Sequence, residues 1–281
     1  MSRLFCISHI CDVIHFCSKK TCAVVFLMPV LVLFLPQRCF SQTKSVEADE
    51  AARKISDVLS HDRALFPSIT CTETAISREY KGNGKVKREL SMASAFYLRY
   101  PEKEGAPPKE WRIPHSINGN SVDLKTKAAM PYLVNGPVAW SGWNVLSPKS
   151  QSCLTYTHRI VDSSGGVELT AVAGAHPATD ECKAFPPSLR GVILADASMH
   201  VLRVELSIPS ETAKRFNFPE LTTVEYTGST FNDKMVVVPT AVTAIKAFHS
   251  HSFSAKYSEC HLFAVDSRIL PDAEEPSSIA P

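Results

Sequence analysis

The feature that most limits what this chain can become is a series of short β-branched segments over residues 69–263, joined by turns too short for a crossover helix. Ile69-Thr70-Cys71-Thr72-Glu73-Thr74 opens the series. Gly82-Asn83-Gly84 supplies the positive φ angles of a tight turn, and residues 85–100 return alongside as a partner strand. A second hairpin is predicted from residues 153–161 and 167–172 around Ser163-Ser164-Gly165-Gly166. A third joins Gly191-Val192-Ile193-Leu194-Ala195-Asp196 to Val201-Leu202-Arg203-Val204-Glu205-Leu206. Residues 222–227, 234–238, 240–248 and 252–263 continue the meander. Parallel neighbours need long crossover connections, so all neighbouring strands are expected to be antiparallel.

Ahead of this series Ala48, Ala51, Ala52, Ile55, Val58 and Leu59 recur at three- and four-residue steps, which predicts one amphipathic helix over residues 47–62. Glu47, Asp49 and Glu50 sit where the helix dipole is positive, and Pro67 lies beyond its end. A sheet of about eight to ten strands must curl or split to cover its apolar face. The expected fold is therefore mainly β (α+β): a curved antiparallel sheet, or half-open barrel, with the one N-terminal amphipathic helix packed on it or in its mouth. No repeat of fixed period is visible, which excludes propeller blades.

The first residues read as an export signal: basic Lys19 and Lys20, an apolar run over residues 22–35, then polar residues to Gln42. Pro29 interrupts the run, and it is shorter than the roughly 20 residues that span a bilayer. Cys39-Phe40-Ser41 places small side chains where a signal peptidase cutting after Ser41 accepts them. Cys6, Cys11 and Cys17 precede a signal already complete from about Val13, which points to a translation start downstream of Met1. A precursor peptide covering Arg3 to Lys19 would rule that out. The organisation read from the sequence is a signal peptide over 1–41, a single antiparallel β half-barrel domain over 42–270 and a disordered tail over 271–281, where Asp, Glu, Pro and Ser dominate. The product is expected to be exported, periplasmic or extracellular, and to meet a membrane only through its leader.

Losing Arg3, Lys19, Lys20, Arg38 and Asp12 with the leader takes 30 basic and 28 acidic residues to 26 and 27. A near-neutral chain with scattered charges excludes nucleic acid and argues against an anionic membrane, both of which call for a clustered basic face. Cys71, Cys153, Cys182 and Cys260 remain. In an oxidising compartment they can pair in three ways, and spacing leaves the choice open. They are too far apart in sequence for a zinc site.

Residues 110–149 are the least regular stretch, broken by Pro114, Gly119, Pro131, Gly136, Pro137, Gly142 and Pro148. One short helix or strand is expected there, and such a stretch usually lines a functional face. Within it Trp140-Ser141-Gly142-Trp143, with Tyr132 nearby, could stack on a sugar ring or an apolar ligand, so Tyr132, Trp140 and Trp143 are the candidate ligand-binding residues. The plainer reading has both indoles plugging an open end of the barrel. His249-Ser250-His251, with Glu259 or His261 on a neighbouring strand, could form a metal site. The reading preferred here is polar residues on a solvent face, with no metal and no cofactor. No G-x-S-x-G elbow or H-E-x-x-H helix is present, and no catalytic residue is assigned. The glycine pairs at 82–84 and 165–166 have no following helix to cradle a phosphate, and read as hairpin turns.

The order of elements, with Gly191 to Asp196 turning into Val201-Leu202-Arg203-Val204-Glu205 and the Ile69 to Thr74 strand after the helix, resembles the lipoprotein-carrier (LolA/LolB-like) half-barrel superfamily of bacterial envelopes. It also resembles an uncharacterised branch of exported bacterial proteins related to them. The resemblance spans roughly residues 47–266 and implies an apolar concavity that holds acyl chains. No binding residue of the superfamily matches one for one. The expected function is a non-catalytic exported envelope protein that binds a lipid or acylated ligand in a curved-sheet cavity. The alternatives are a structural or protein-interaction module facing another envelope protein, and a hydrolase without a recognisable motif.

Overall fold

The computed structural model describes residues 46–65, 68–100, 108–122, 145–161, 163–174, 179–231 and 233–262. The leader expected at 1–41 and the tail expected at 271–281 lie outside them. Helix α1 runs Val46–Leu65 and buries Ala48, Ala51, Ala52, Ile55 and Leu59 of the stripe that the three- and four-residue spacing predicts, while Val58 at its edge stays half-buried. Alanine at three of these positions lets the helix axis come close to the sheet. Residues 47–62 extend by one residue at the start and three at the end.

Eleven strands follow: β1 Ser68–Tyr80, β2 Val86–Arg99, β3 Lys109–Ile117, β4 Asn120–Ser121, β5 Leu154–Ile160, β6 Val167–Ala173, β7 Arg190–Ala195, β8 Val201–Ser207, β9 Pro219–Phe231, β10 Lys234–Lys246 and β11 His251–Leu262. They form one sheet in the order β4-β3-β2-β1-β11-β10-β9-β8-β7-β6-β5. Every pairing is antiparallel, as the short turns require. Consecutive strands are neighbours within β1 to β4 and within β5 to β11, and the pairing of β1 with β11 joins these two meanders. The outer strands β4 and β5 do not pair with each other, so the sheet stays open.

The sheet curls around α1. Glu47 in the first turn lies 4.0 Å from His158 of β5, and Arg63 in the last turn sits 5.5 Å over the ring of Tyr100, just past β2. Eight strand intervals separate β5 from β2. Laid flat they would span about 38 Å, at 4.7–4.9 Å each, whereas the helix advances about 24 Å between those two residues. Only a concave sheet brings both strands to one helix. The architecture is thus the mainly-β half-open barrel with an N-terminal helix in it.

Several local expectations change. The 110–149 stretch contributes nine-residue β3 and two-residue β4, joined by Asn118-Gly119 with both φ angles positive, as in a type I′ hairpin. Asn-Gly between two strands is a strong turn signal, and it makes eleven strands where eight to ten were expected. A short helix α2, Pro148–Gln151, closes the same stretch. The segments expected at 234–238 and 240–248 merge into one strand, β10, which ends at Lys246, because a register shift next to Pro239 absorbs the missing amide donor. A further helix, α3 over Ser210–Phe216, stands between β8 and β9, buries Ala213 and ends on left-handed Asn217. The open cysteine pairing resolves as Cys71–Cys260, which ties β1 to β11, and Cys153–Cys182, which ties the start of β5 to a 3₁₀ turn over Asp180–Ala184.

Candidate functional site

Strand pairing lines up one row of side chains across the concave face. Ile117 of β3 stands opposite Met92, Met92 opposite Ala75, and Ala75 opposite Ala255. The row continues through Val242, Val224 and Val204 to Ile193 and Leu169 on β6. It is apolar from end to end. Helix α1 packs against β5, β6 and α2 and covers that side of the row, where Ile193 and Leu169 are fully buried. At the opposite side Met92, Ile117 and Leu90 stay half-exposed. With Ala75, Ser77, Ser91 and Phe253 they line a partly enclosed notch of about 10 Å³, on the order of a single water.

One row further along, the two sides differ in kind. Over β9 to β6 the buried positions are Tyr226, Val201, Ala195 and Val167. Over β11, β1 and β2 they are Tyr257, Glu73 and Ser94. The Glu73 carboxylate is fully buried and accepts a hydrogen bond from Ser94 Oγ at 2.7 Å. Arg112 of β3 donates through Nε to both Glu73 oxygens, at 2.8 and 2.9 Å, and through Nη2 to Tyr257 Oη at 3.3 Å. Its guanidinium lies 4.9 Å over the ring of Phe96 and 5.7 Å over that of Phe253. Glu110 Oε2 is 3.7 Å from Arg112 Nη2.

Burial alone would lower the pKa of such an arginine. Here Tyr257, Glu73 and Glu110 outweigh that desolvation and hold the Arg112 guanidinium charged, with its pKa raised above its ordinary value. Burial, reinforced by the Glu73 charge, pushes the Tyr257 phenol well up, so it stays neutral. A charge pair this deep gains little net stability over an apolar pair of the same shape, yet losing one partner strands the other. Chemically the group is a saturated polar strut: the Ser94 hydroxyl and the Arg112 guanidinium both occupy Glu73.

The sequence-predicted ligand residues Tyr132, Trp140 and Trp143 lie outside the described residues. The histidine grouping does not assemble. His249 sits in a 3₁₀ turn over Ala247–His249 and meets Glu220 at 3.0 Å, whereas His251 begins β11. Glu259 and His261 belong to the far end of that strand, where Glu259 accepts from Thr72 Oγ1 at 3.0 Å. Strand rise of about 3.4 Å per residue puts those ends roughly 30 Å apart. The expected shared strand face was broken by the turn at Ala247–His249, whose left-handed Phe248 and His249 end β10. Among the described residues no group of three His, Cys, Asp or Glu side chains could hold a metal. No described helix is long and apolar enough to cross a membrane.

Sequence reasoning missed Glu73, Ser94, Arg112 and Tyr257 as a unit. One signal was present, since Glu73 shares strand parity with Ile69, Cys71 and Ala75. The opposite parity, Thr70, Thr72 and Thr74, is polar and is the more exposed one.

By fold, then, the chain is an open antiparallel half-barrel wrapped around one helix. No family model and no curated protein matches the sequence. Among solved structures it is similar to a domain described as an outer membrane lipoprotein-sorting protein from Vibrio parahaemolyticus, at 11% identity and TM-score 0.42, over 75% of this chain and 92% of that one. It is also similar to a DUF1329 family protein from Desulfovibrio piger ATCC 29098, at 8% identity and TM-score 0.39, over 76% of this chain and 93% of that one. A LolA superfamily protein from Nitrosomonas europaea matches at 11% identity and TM-score 0.31, over 80% of this chain and 95% of that one.

Proposed function

We propose that this chain is a non-catalytic envelope protein that seats the apolar part of an amphipathic ligand, a lipid or acyl chain, against the concave face of its sheet. The observation that supports this reading is the continuous apolar row, covered by α1 at its β5–β6 end and half-exposed at Met92 and Ile117. In this structure the notch there has room for about one water. An acyl chain enters by moving side chains, and the unbranched Met92 and the half-exposed Leu90 and Ile117 yield readily. Each methylene so buried contributes about 0.8 kcal/mol, so eight of them supply roughly 6 kcal/mol toward that opening and toward binding. Two disulfides fit an oxidising compartment, in keeping with export.

Native mass spectrometry of the secreted protein and titration with a fluorescent fatty acid test this. Co-purifying lipid, saturable binding and about tenfold weaker binding by Met92→Glu are expected. A bare monomer that does not bind the fatty acid would end the carrier reading.

A second reading, a protein-interaction module, has one observation in its favour. On the convex face Tyr97 and Trp111 stack with ring centroids 5.1 Å apart and planes 3° from parallel, and Trp111 is 38% exposed. Loss of a co-purifying protein on Trp111→Ser, with fatty-acid binding intact, would favour it.

A further inference from the structure

Charge that is scattered along the sequence is gathered in space at one end of the sheet. The β1–β2 hairpin carries Lys81, Lys85, Lys87 and Arg88. Strand β11 starts beside the end of β1, where the Tyr80 amide donates to the Ser250 carbonyl at 3.0 Å. Lys246 therefore ends β10 next to that hairpin, and it pairs in register with Pro219, which places α3 with Lys214 and Arg215 on the same rim. The local carboxylates are already engaged: Glu79 by Lys87 at 2.7 Å and Arg88 at 3.6 Å, and Glu220 by His249. Glu211 is the remaining acid on α3. Among the described residues, Lys81, Lys85, Lys214, Arg215 and Lys246 have no carboxylate within ion-pair distance. The convergence also registers on His251: burial first, then Lys246, Arg88 and Lys87 together, hold its pKa below the usual imidazole value against the pull of Glu79.

Two phenylalanines stand out of this basic rim. Phe218 is 41% exposed and Phe248 is 54% exposed. Phe248 adopts φ of 57°, a conformation that strains a bulky residue. The Glu220 carboxylate helps hold it there by accepting the Phe248 amide at 2.9 Å, while Ser210 Oγ donates to the same oxygen at 2.6 Å. Lys214 Nζ lies 5.8 Å from the Phe248 ring centroid. An apolar ring presented outward on a braced turn, amid cations, is what an interface of acyl chains under anionic headgroups accommodates.

We infer that this rim, formed by the 81–88 hairpin, α3 and the Ala247–His249 turn, docks onto an anionic phospholipid surface, with Phe248 and Phe218 entering the headgroup region. The occupant follows from charge complementarity: a near-neutral chain gathers cations without carboxylate partners beside its exposed aromatics. This goes beyond ligand seating on the concave face and does not depend on it.

The test is sedimentation of the purified mature protein with vesicles of phosphatidylglycerol and phosphatidylcholine in a one-to-three mixture, against pure phosphatidylcholine. Binding to the anionic vesicles that fades as salt rises is expected. Each cation removed should weaken partitioning about fivefold, so Lys81→Glu with Lys85→Glu should abolish it. Phe248→Gly relieves the positive φ while deleting the ring, and should weaken partitioning about tenfold with no loss of melting temperature. Fatty-acid binding by these variants should match wild type, which keeps this test separate from that of the concave face. Equal binding to neutral vesicles, full retention of binding by Phe248→Gly, or no partitioning of the wild type would overturn the assignment; the last result would leave an acidic protein as the partner.

Discussion

The two sides of the concave face share one backbone plan and solve burial differently. Over β5 to β9 the interior is apolar and α1 closes it, so stability there follows from area removed from water. Over β1, β2, β3 and β11 the interior holds Glu73, Arg112, Ser94 and Tyr257, and stability there depends on every polar group keeping its partner. The difference teaches that a buried charge pair is a constraint more than a source of stability. It fixes where β3 must lie, next to the half-exposed notch.

The largest expected effect separates the two sides through their disulfides. Cys71–Cys260 spans 189 residues and Cys153–Cys182 spans 29. On a chain-entropy account, replacing the first pair with alanines costs about 5 kcal/mol and the second about 4 kcal/mol. Urea midpoints of the two double variants test this, and a reversed order would show that the apolar side is the more dependent on its link.

Next comes the polar strut itself. Arg112→Met leaves Glu73 buried without its counter-charge, and a loss of about 4 kcal/mol is expected, roughly 10 °C in melting temperature. Adding Glu73→Leu should restore most of it. On the apolar side Ile193→Ala should cost about 3 kcal/mol through its cavity, independently of changes at Glu73. If Arg112→Met melts like wild type, the contrast between the sides collapses.

The smallest effect lies at the end of α1, between the two sides. Burial raises the Asp62 pKa above its usual value, against the opposing pull of His200, His61 and the Val237 amide. The folded state therefore holds a proton more tightly than the unfolded one. Its contribution is most favourable below the ordinary carboxylate pKa of 3.8 and is lost as pH rises through the raised folded value. Asp62→Asn should melt slightly higher than wild type at neutral pH and converge with it in acid. A variant less stable at neutral pH would show that the Asp62 charge is needed.

Much of the fold was legible because local rules decide it. The three- and four-residue spacing marked α1, and the turns around Gly84 and Gly165, both with positive φ, marked two hairpins. Asn118-Gly119 was equally readable and was overlooked amid the prolines around it. Pro239 misled, because a proline inside a strand is tolerated where the register shifts, and here Thr240 is an extra residue on β10 between the pairs Pro239–Tyr226 and Ala241–Glu225. The polar strut was illegible for a different reason. Glu73 and Arg112 are 39 positions apart and meet only because β2 separates their strands by a fixed width.

The sequence alone determined an antiparallel meander with one long helix, since side-chain periodicity and turn chemistry act over a few residues. The tertiary structure alone decided the pairing of β1 with β11, the two disulfides, the buried Glu73–Arg112 contact and the gathering of Lys81, Lys214 and Lys246 on one rim. Those features join positions far apart in the chain, and their free energy exists only once the curl of the sheet has brought them within a few ångströms.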